Sequence, residues 1–285
     1  MSQIRTFKVK AFNNKEFHVE FYDSAYQVVE DCKKRNITNS SFDNMRTERI
    51  RKDWHGVSSY DEALKLMETG YQPTVDKLKA SVKANLSGQA KRISFHNDVV
   101  GYAPIVPLAI MGVPQSMMNS CMKPVKAKVI DVYYDMSASC GMEAKQFIEA
   151  GSKLLAAVME LEMQGYRMNI YATQNYYDDS SDMLCVKVKS ANQPLDLKRI
   201  SFPLTHPAFF RVIGFDWYSK VPGGKYRFGY GRPVSRDFSE ERLQKGFKEM
   251  FGDNAVAFSC AKIIETDIEH IKEVMKGGSG KKAQN

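Results

Sequence analysis

Apolar residues recur along this chain at two different periods, and the switches between them predict its elements. Phe17, Val19 and Phe21 alternate with polar neighbours, which is the period of a strand with one buried face. That spacing predicts a strand over Glu16 to Phe21, following another over Ile4 to Val9. Asp23 and Ser24 are placed to cap a helix running through Arg35, and the polar stretch Asn36 to Arg51 reads as a loop. Ser59 caps a helix over Asp61 to Glu68 that Gly70 ends. Pro73 and Thr74 open a further helix, with Val75, Leu78, Val82 and Leu86 at helical spacing and Lys77, Lys79 and Lys83 mostly elsewhere on its surface.

The rhythm changes near residue 125. A strand is expected over Lys128–Tyr134 and a long amphipathic helix over Met142–Gln164. Strands over Tyr166–Ala172 and Leu184–Lys189 follow, then a short helix over Leu195–Ile200. The apolar run Phe209 to Phe215 reads as a strand ending at Asp216. A helix over Ser239–Phe251, a strand over Ala255–Ser259 and a final helix over Thr266–Met275 complete the pattern. Alternating strands and helices imply an α/β fold, an open and mostly parallel sheet with helices on both faces. The expected organisation is an N-terminal α+β region over 1–125, the α/β domain over 126–276 and a flexible tail over 277–285.

Composition adds constraints. The chain has 285 residues and is 43% hydrophobic, enough for a substantial core. A formal net charge of +8 suggests an acidic partner, protein or nucleic acid, although a basic surface with no single target fits as well. The five cysteines are scattered with no C-x-x-C pair, so reduced thiols are expected rather than a disulfide framework or zinc site. Val99 to Pro114 is the most apolar stretch, but it falls short of the ~20 residues of a membrane span and contains three prolines. It is expected to be irregular packing buried against the main core. With no hydrophobic leader at the N-terminus, the expectation is a soluble protein without a membrane partner, cytoplasmic in a bacterial host or carried in a virion.

Candidate chemistry gathers in two places. Asp135-Met-Ser-Ala-Ser139 packs a carboxylate and two hydroxyls into the turn between the expected strand and the long helix. Hard divalent cations such as Mg²⁺ favour oxygen ligands of this kind. The same residues serve equally as helix caps, with Asp135 complementing the helix dipole. The second place is Tyr218 to Arg236, where Lys220, Lys225, Arg227, Arg232 and Arg236 are interleaved with Tyr226, Phe228 and Tyr230. Basic residues grip phosphates and aromatics stack on bases. A glycine-rich hairpin with inward aromatics has the same pattern. His18, His55, His96, His206 and His270 show no metal-ligand spacing, and there is no nucleophile elbow, phosphate loop or dinucleotide fingerprint.

On Asp135, Ser137 and Ser139, and on the order of elements from Lys128 to Met275, the chain resembles the von Willebrand factor A-type domain, a Rossmann-like fold. The resemblance implies a Mg²⁺-dependent adhesion site, with those three residues as ligands and Asp216 as a fourth; the family's threonine has no clear counterpart. Trp54-His-Gly-Val-Ser-Ser-Tyr with Gly70, Asp98-Val-Val-Gly, and Leu161-Glu-Met-Gln-Gly-Tyr-Arg167 also resemble uncharacterised bacteriophage proteins. Three functions stay open: a non-enzymatic binding module, a phage nucleic-acid-binding protein, and a virion or assembly component. An enzyme is least expected, because no general base or nucleophile accompanies the carboxylates.

Overall fold

A computed structural model describes residues 4–35, 50–85, 94–121, 128–177, 181–222, 233–234 and 237–277. The chain forms two compact units, one built from Met1–Lys79 with Lys128–Asn285 and the other from Ala80–Ala127. The expected N-terminal region therefore divides, because its first strands belong to the main sheet.

Strands β1 (Arg5–Ala11) and β2 (Lys15–Tyr22) form a hairpin whose turn residues Phe12, Asn13 and Asn14 all take positive φ. Helix α1 (Ala25–Lys34) begins where Ser24 Oγ accepts the Gln27 N–H at 3.3 Å, one of the two caps foreseen. After the single turn α2 (Lys52–His55), helix α3 (Tyr60–Thr69) starts on Ser59, whose Oγ accepts the Glu62 N–H at 3.0 Å. It stops at Gly70, whose φ of 76° strains any other residue. Helix α4 (Gln72–Asn85) leads out of the main unit.

The small unit holds β3 (Ser94–Asp98), β4 (Ala103–Pro104), the short helix α5 (Val106–Ile110) and β5 (Met117–Cys121), in an antiparallel sheet of order β3-β5-β4. The expectation that Val99–Pro114 is buried is corrected here. From His96 to Asn119 no residue is buried, and Val100 and Ile110 are 74% and 80% exposed. Prolines and glycines break the run into short pieces, and among the described residues no second layer of the unit covers its apolar side chains.

The main unit resumes with β6 (Val129–Asp135), α6 (Ala144–Met163), β7 (Arg167–Tyr177), β8 (Ser181–Lys189) and α7 (Leu197–Thr205). A π-helical segment, Phe209–Gly214, runs into α8 (Phe215–Ser219). Helix α9 (Glu240–Phe251), β9 (Ala255–Ser259), α10 (Cys260–Ile263) and α11 (Ile268–Met275) follow. The six-stranded sheet has the order β1-β2-β8-β7-β6-β9. It is mixed: β6 runs parallel to β7 and β9, β8 is antiparallel to β7, and β2 is parallel to β8.

The strand expected over Phe209–Phe215 is instead helical. Every residue of this segment is buried, so neither period shows, and a short apolar run fits a buried helix as well as a buried strand. Gln174 on β7 holds it by donating from Nε2 to the Phe209 carbonyl at 3.2 Å, and a Cβ on Gly214 would overlap that amide.

Alternation along the strands sends Tyr133 and Tyr134 to opposite faces. The Tyr133 face carries α9 over a core of Phe17, Val19, Met183, Phe247 and Ala257. Tyr133 lies stacked between Tyr171 at 4.6 Å and Phe251 at 4.2 Å, as aromatic pairs prefer. Helix α6 packs on β7 and on α7, where Gly151 meets the Leu204 carbonyl so closely that a side chain would not fit.

Candidate functional site

Strand order reverses at β6. The chain leaves it for β7 on one side and returns to β9 on the other, and in open α/β sheets ligands are received at such a reversal, beyond the strands' carboxyl ends. Asp135 is the last residue of β6. Its register partners are Thr173 on β7 and Ser259 on β9, so the three side chains leave the same face of the sheet.

Asp135 Oδ1 accepts the Ser137 N–H at 3.0 Å, a local turn that aspartate commonly makes. The Ser137 hydroxyl is engaged with β7, accepting from Asn175 N at 2.7 Å and lying 3.1 Å from the Asn175 carbonyl. Asn175 Oδ1 in turn accepts the Val234 N–H at 2.7 Å. Among the described residues Asp135 Oδ2, Thr173 Oγ1 and Asn175 Nδ2 have no hydrogen-bond partner. Buried polar atoms are rarely left so, and each costs on the order of 1–3 kcal/mol.

Asp135 is 0% exposed. Burial pushes its carboxyl up to about 6, opposed by the Ser137 N–H and by the Asn175 and Ser137 side chains. The Asn175 amide is thus near enough to favour the anion while its Nδ2 stays outside hydrogen-bonding geometry. Tyr218 reaches the same place from α8, its hydroxyl against Ser137 and within the fields of Asp135 and Asp182. At the edge His18 Nδ1 lies 3.2 Å from Asp182 Oδ1, a pairing that raises the His18 pKa against the effect of burial.

The other expected ligands lie differently. Ser139 is exposed, and its Oγ accepts the Gly141 N–H at 3.3 Å. Asp216 sits in α8 rather than at a strand end, because the segment before it is helical; its Oδ2 accepts from the Tyr60 hydroxyl at 3.0 Å. Asp135 and Ser137 are thus joined directly, while Ser139 and Asp216 have other partners. Among the described residues no group of three or more His, Cys, Asp or Glu is placed to hold a metal, so a cation held by Asp135 would need hydroxyl and amide oxygens for its other ligands. Of the basic candidates, Lys220 caps α8 and its carbonyl accepts from Arg35 at 3.3 Å. Lys225, Arg227, Arg232 and Arg236 lie outside the described residues, although Val221 and Val234 on either side of the first three are buried.

Arg211 was not foreseen. It is 0% exposed, 4.0 Å above the Trp54 ring and 4.7 Å above Phe147. Its guanidinium donates to the Trp54 carbonyl at 2.6 Å and to the Met142 carbonyl at 2.5 Å. It thereby ties α2 to the loop that follows Asp135. Burial lowers its pKa to about 10. An arginine inside the apolar run Phe209–Phe215 was the one signal in the sequence, since a charge there needs partners.

The family described as "Domain of unknown function (DUF7192)" matches residues 10–271. The chain belongs to this family. The match takes in five of the six strands of the main sheet and the last two residues of β1, and with them Asp135, Ser137, Thr173 and Asn175. No curated protein and no solved structure matches the chain.

Proposed function

We propose that this DUF7192 protein is a non-enzymatic binding module whose ligand is received at the Asp135 crevice, with a divalent cation such as Mg²⁺ as the group that mediates contact. The observation that carries this reading is Asp135 Oδ2, a wholly buried carboxylate oxygen without a partner, beside the equally unpartnered Thr173 Oγ1. A hard cation takes oxygens of both kinds. Asp135 and Thr173 are the ligands available as they stand. Ser137, Ser139 and Asp216 would join by exchanging their present hydrogen bonds. Because the site is buried, a cation enters by local opening of the segments around it.

A von Willebrand A-like arrangement is in keeping with this reading. A strand ending in Asp-x-Ser-x-Ser, flanked by one parallel neighbour on each side, with an antiparallel strand next in line, is the order that the resemblance implies. Phage origin rests on the other resemblance and makes a virion or assembly role its natural setting. A cation left with an open position would take a partner's carboxylate or phosphate, consistent with the chain's +8 charge.

Titration calorimetry tests the proposal. Mn²⁺ or Mg²⁺ should bind the full chain at one site, more weakly in Thr173→Val and not at all in Asp135→Ala. No heat with the unaltered protein, or equal binding by Asp135→Ala, overturns it. Oligonucleotide binding that falls steeply with salt and survives Asp135→Ala would instead favour a nucleic-acid role for Lys220 and the basic segment after it.

A further inference from the structure

We infer that the apolar stretch Val99–Val113 of the small unit is a self-association surface whose occupant is a second copy of this chain. Val99, Val100, Tyr102, Val106, Ile110, Met111 and Val113 are all exposed, whereas only two other large apolar residues among those described are exposed, Tyr26 and Val129. Exposed apolar groups scattered singly need no explanation, but a concentration of this kind marks an interface. Val106 and Ile110 are four residues apart on α5 and share its face. No charged residue occurs between Asp98 and Lys123, so two such surfaces meet without burying a charge.

Two arguments select a second copy over other occupants. The first is size. Seven residues exposed by between 37% and 80% present in all on the order of 700 Å², close to the ~800 Å² that each partner contributes to a standard stable interface. The second is the unit's own stability. Its strands and helix are formed, yet from His96 to Asn119 no side chain is buried. Among the described residues this small sheet buries no apolar side chain to offset its ordering entropy, and oligomerisation is the usual remedy. Another copy of the chain is the one cover present whenever the chain is made.

Light scattering coupled to size exclusion, on the full chain, should give a mass of two chains or a larger whole number. The double variant Val100→Asp, Ile110→Asp should be a monomer. A single-chain mass for the unaltered protein across the micromolar range, or an unchanged oligomer in the variant, overturns the inference. Hydrogen exchange on the unaltered protein guards against a variant that merely unfolds the unit. Peptides covering 99–113 should exchange more slowly at high protein concentration and lose that protection on dilution; protection independent of concentration counts against self-association. A monomer that floats with phosphatidylglycerol vesicles would also overturn it, assigning the surface to lipid.

Discussion

Glu20 and Asp135 are both buried carboxylates in the six-stranded sheet, and their surroundings differ sharply. Glu20 Oε2 accepts from Arg35 Nη2 at 2.7 Å and from Trp217 Nε1 at 2.8 Å, and the Tyr22 hydroxyl lies 2.7 Å away. The same Tyr22 hydroxyl is 2.7 Å from Asp31, which also pairs with Arg35. Burial alone would raise the Glu20 pKa, but Arg35 and these hydrogen bonds outweigh it and the pKa is lowered. Asp135 has one backbone donor to Oδ1 and nothing on Oδ2 among the described residues, and its pKa is raised to about 6. A carboxylate oxygen held by three donors is a clamp: Glu20 joins β2, α1 and α8. A carboxylate kept buried and half-partnered costs stability, and perturbed groups of this sort gather where a ligand or proton is handled.

The largest effect should come from breaking the clamp. Glu20→Ala leaves Arg35 and Trp217 without their acceptor, and loss of one member of a buried pair costs about 3–5 kcal/mol. Urea unfolding at pH 7 checks this; a change under 1 kcal/mol would mean that water replaces the carboxylate freely and that the clamp is not one.

The next effect contrasts the two by the sign of their pH dependence. Glu20 has a lowered folded pKa, so its contribution is present above the unfolded value and is lost as pH falls through the folded one. Asp135 has a raised folded pKa, so its favourable contribution is full below its ordinary 3.8 and is lost as pH rises through about 6. About two units correspond to on the order of 3 kcal/mol. Between pH 4 and pH 7 the unaltered protein should therefore lose about that much stability relative to Asp135→Asn. Parallel stability profiles for the two proteins would show that Asp135 does not titrate in this window. Addition of Mn²⁺ at pH 7 should restore the loss in the unaltered protein alone.

The smallest effect belongs to the pair of His18 and Asp182. His18 has a raised pKa from Asp182, so the pair stabilises below the unfolded histidine pKa and the gain fades as pH rises through the folded value. The pair is partly solvated, so His18→Ala should cost under about 1 kcal/mol at pH 5.5 and less at pH 8. An NMR titration of His18 that gives an ordinary or lowered pKa would remove the pair from the account.

Some of this was legible beforehand. Ser24 and Ser59 mark their helices because a hydroxyl before an apolar-periodic run answers free N–H groups, a purely local effect. The alternation of Phe17, Val19 and Phe21 gave the buried face of β2. Asp135 was legible as the end of a strand leading into a helix. Thr173, Asn175 and Tyr218 were not, because they meet Asp135 through sheet register and an α8 contact that no local pattern encodes. Asp216 was misplaced for a related reason: a run buried on all sides carries no period, so Phe209–Phe215 passed for a strand.

What the sequence by itself determined are the properties that depend on near neighbours: caps, strand and helix periods, the α/β class, the basic charge and the Asp-x-Ser-x-Ser turn. Tertiary structure alone decided the rest. It made β6 the point of reversal, satisfied Glu20 while leaving Asp135 half-partnered, and left Val99–Val113 exposed rather than buried. The reason is that burial and partnership belong to pairs of surfaces. A residue's own chemistry states what it needs, but whether another element arrives to supply it depends on how distant segments pack.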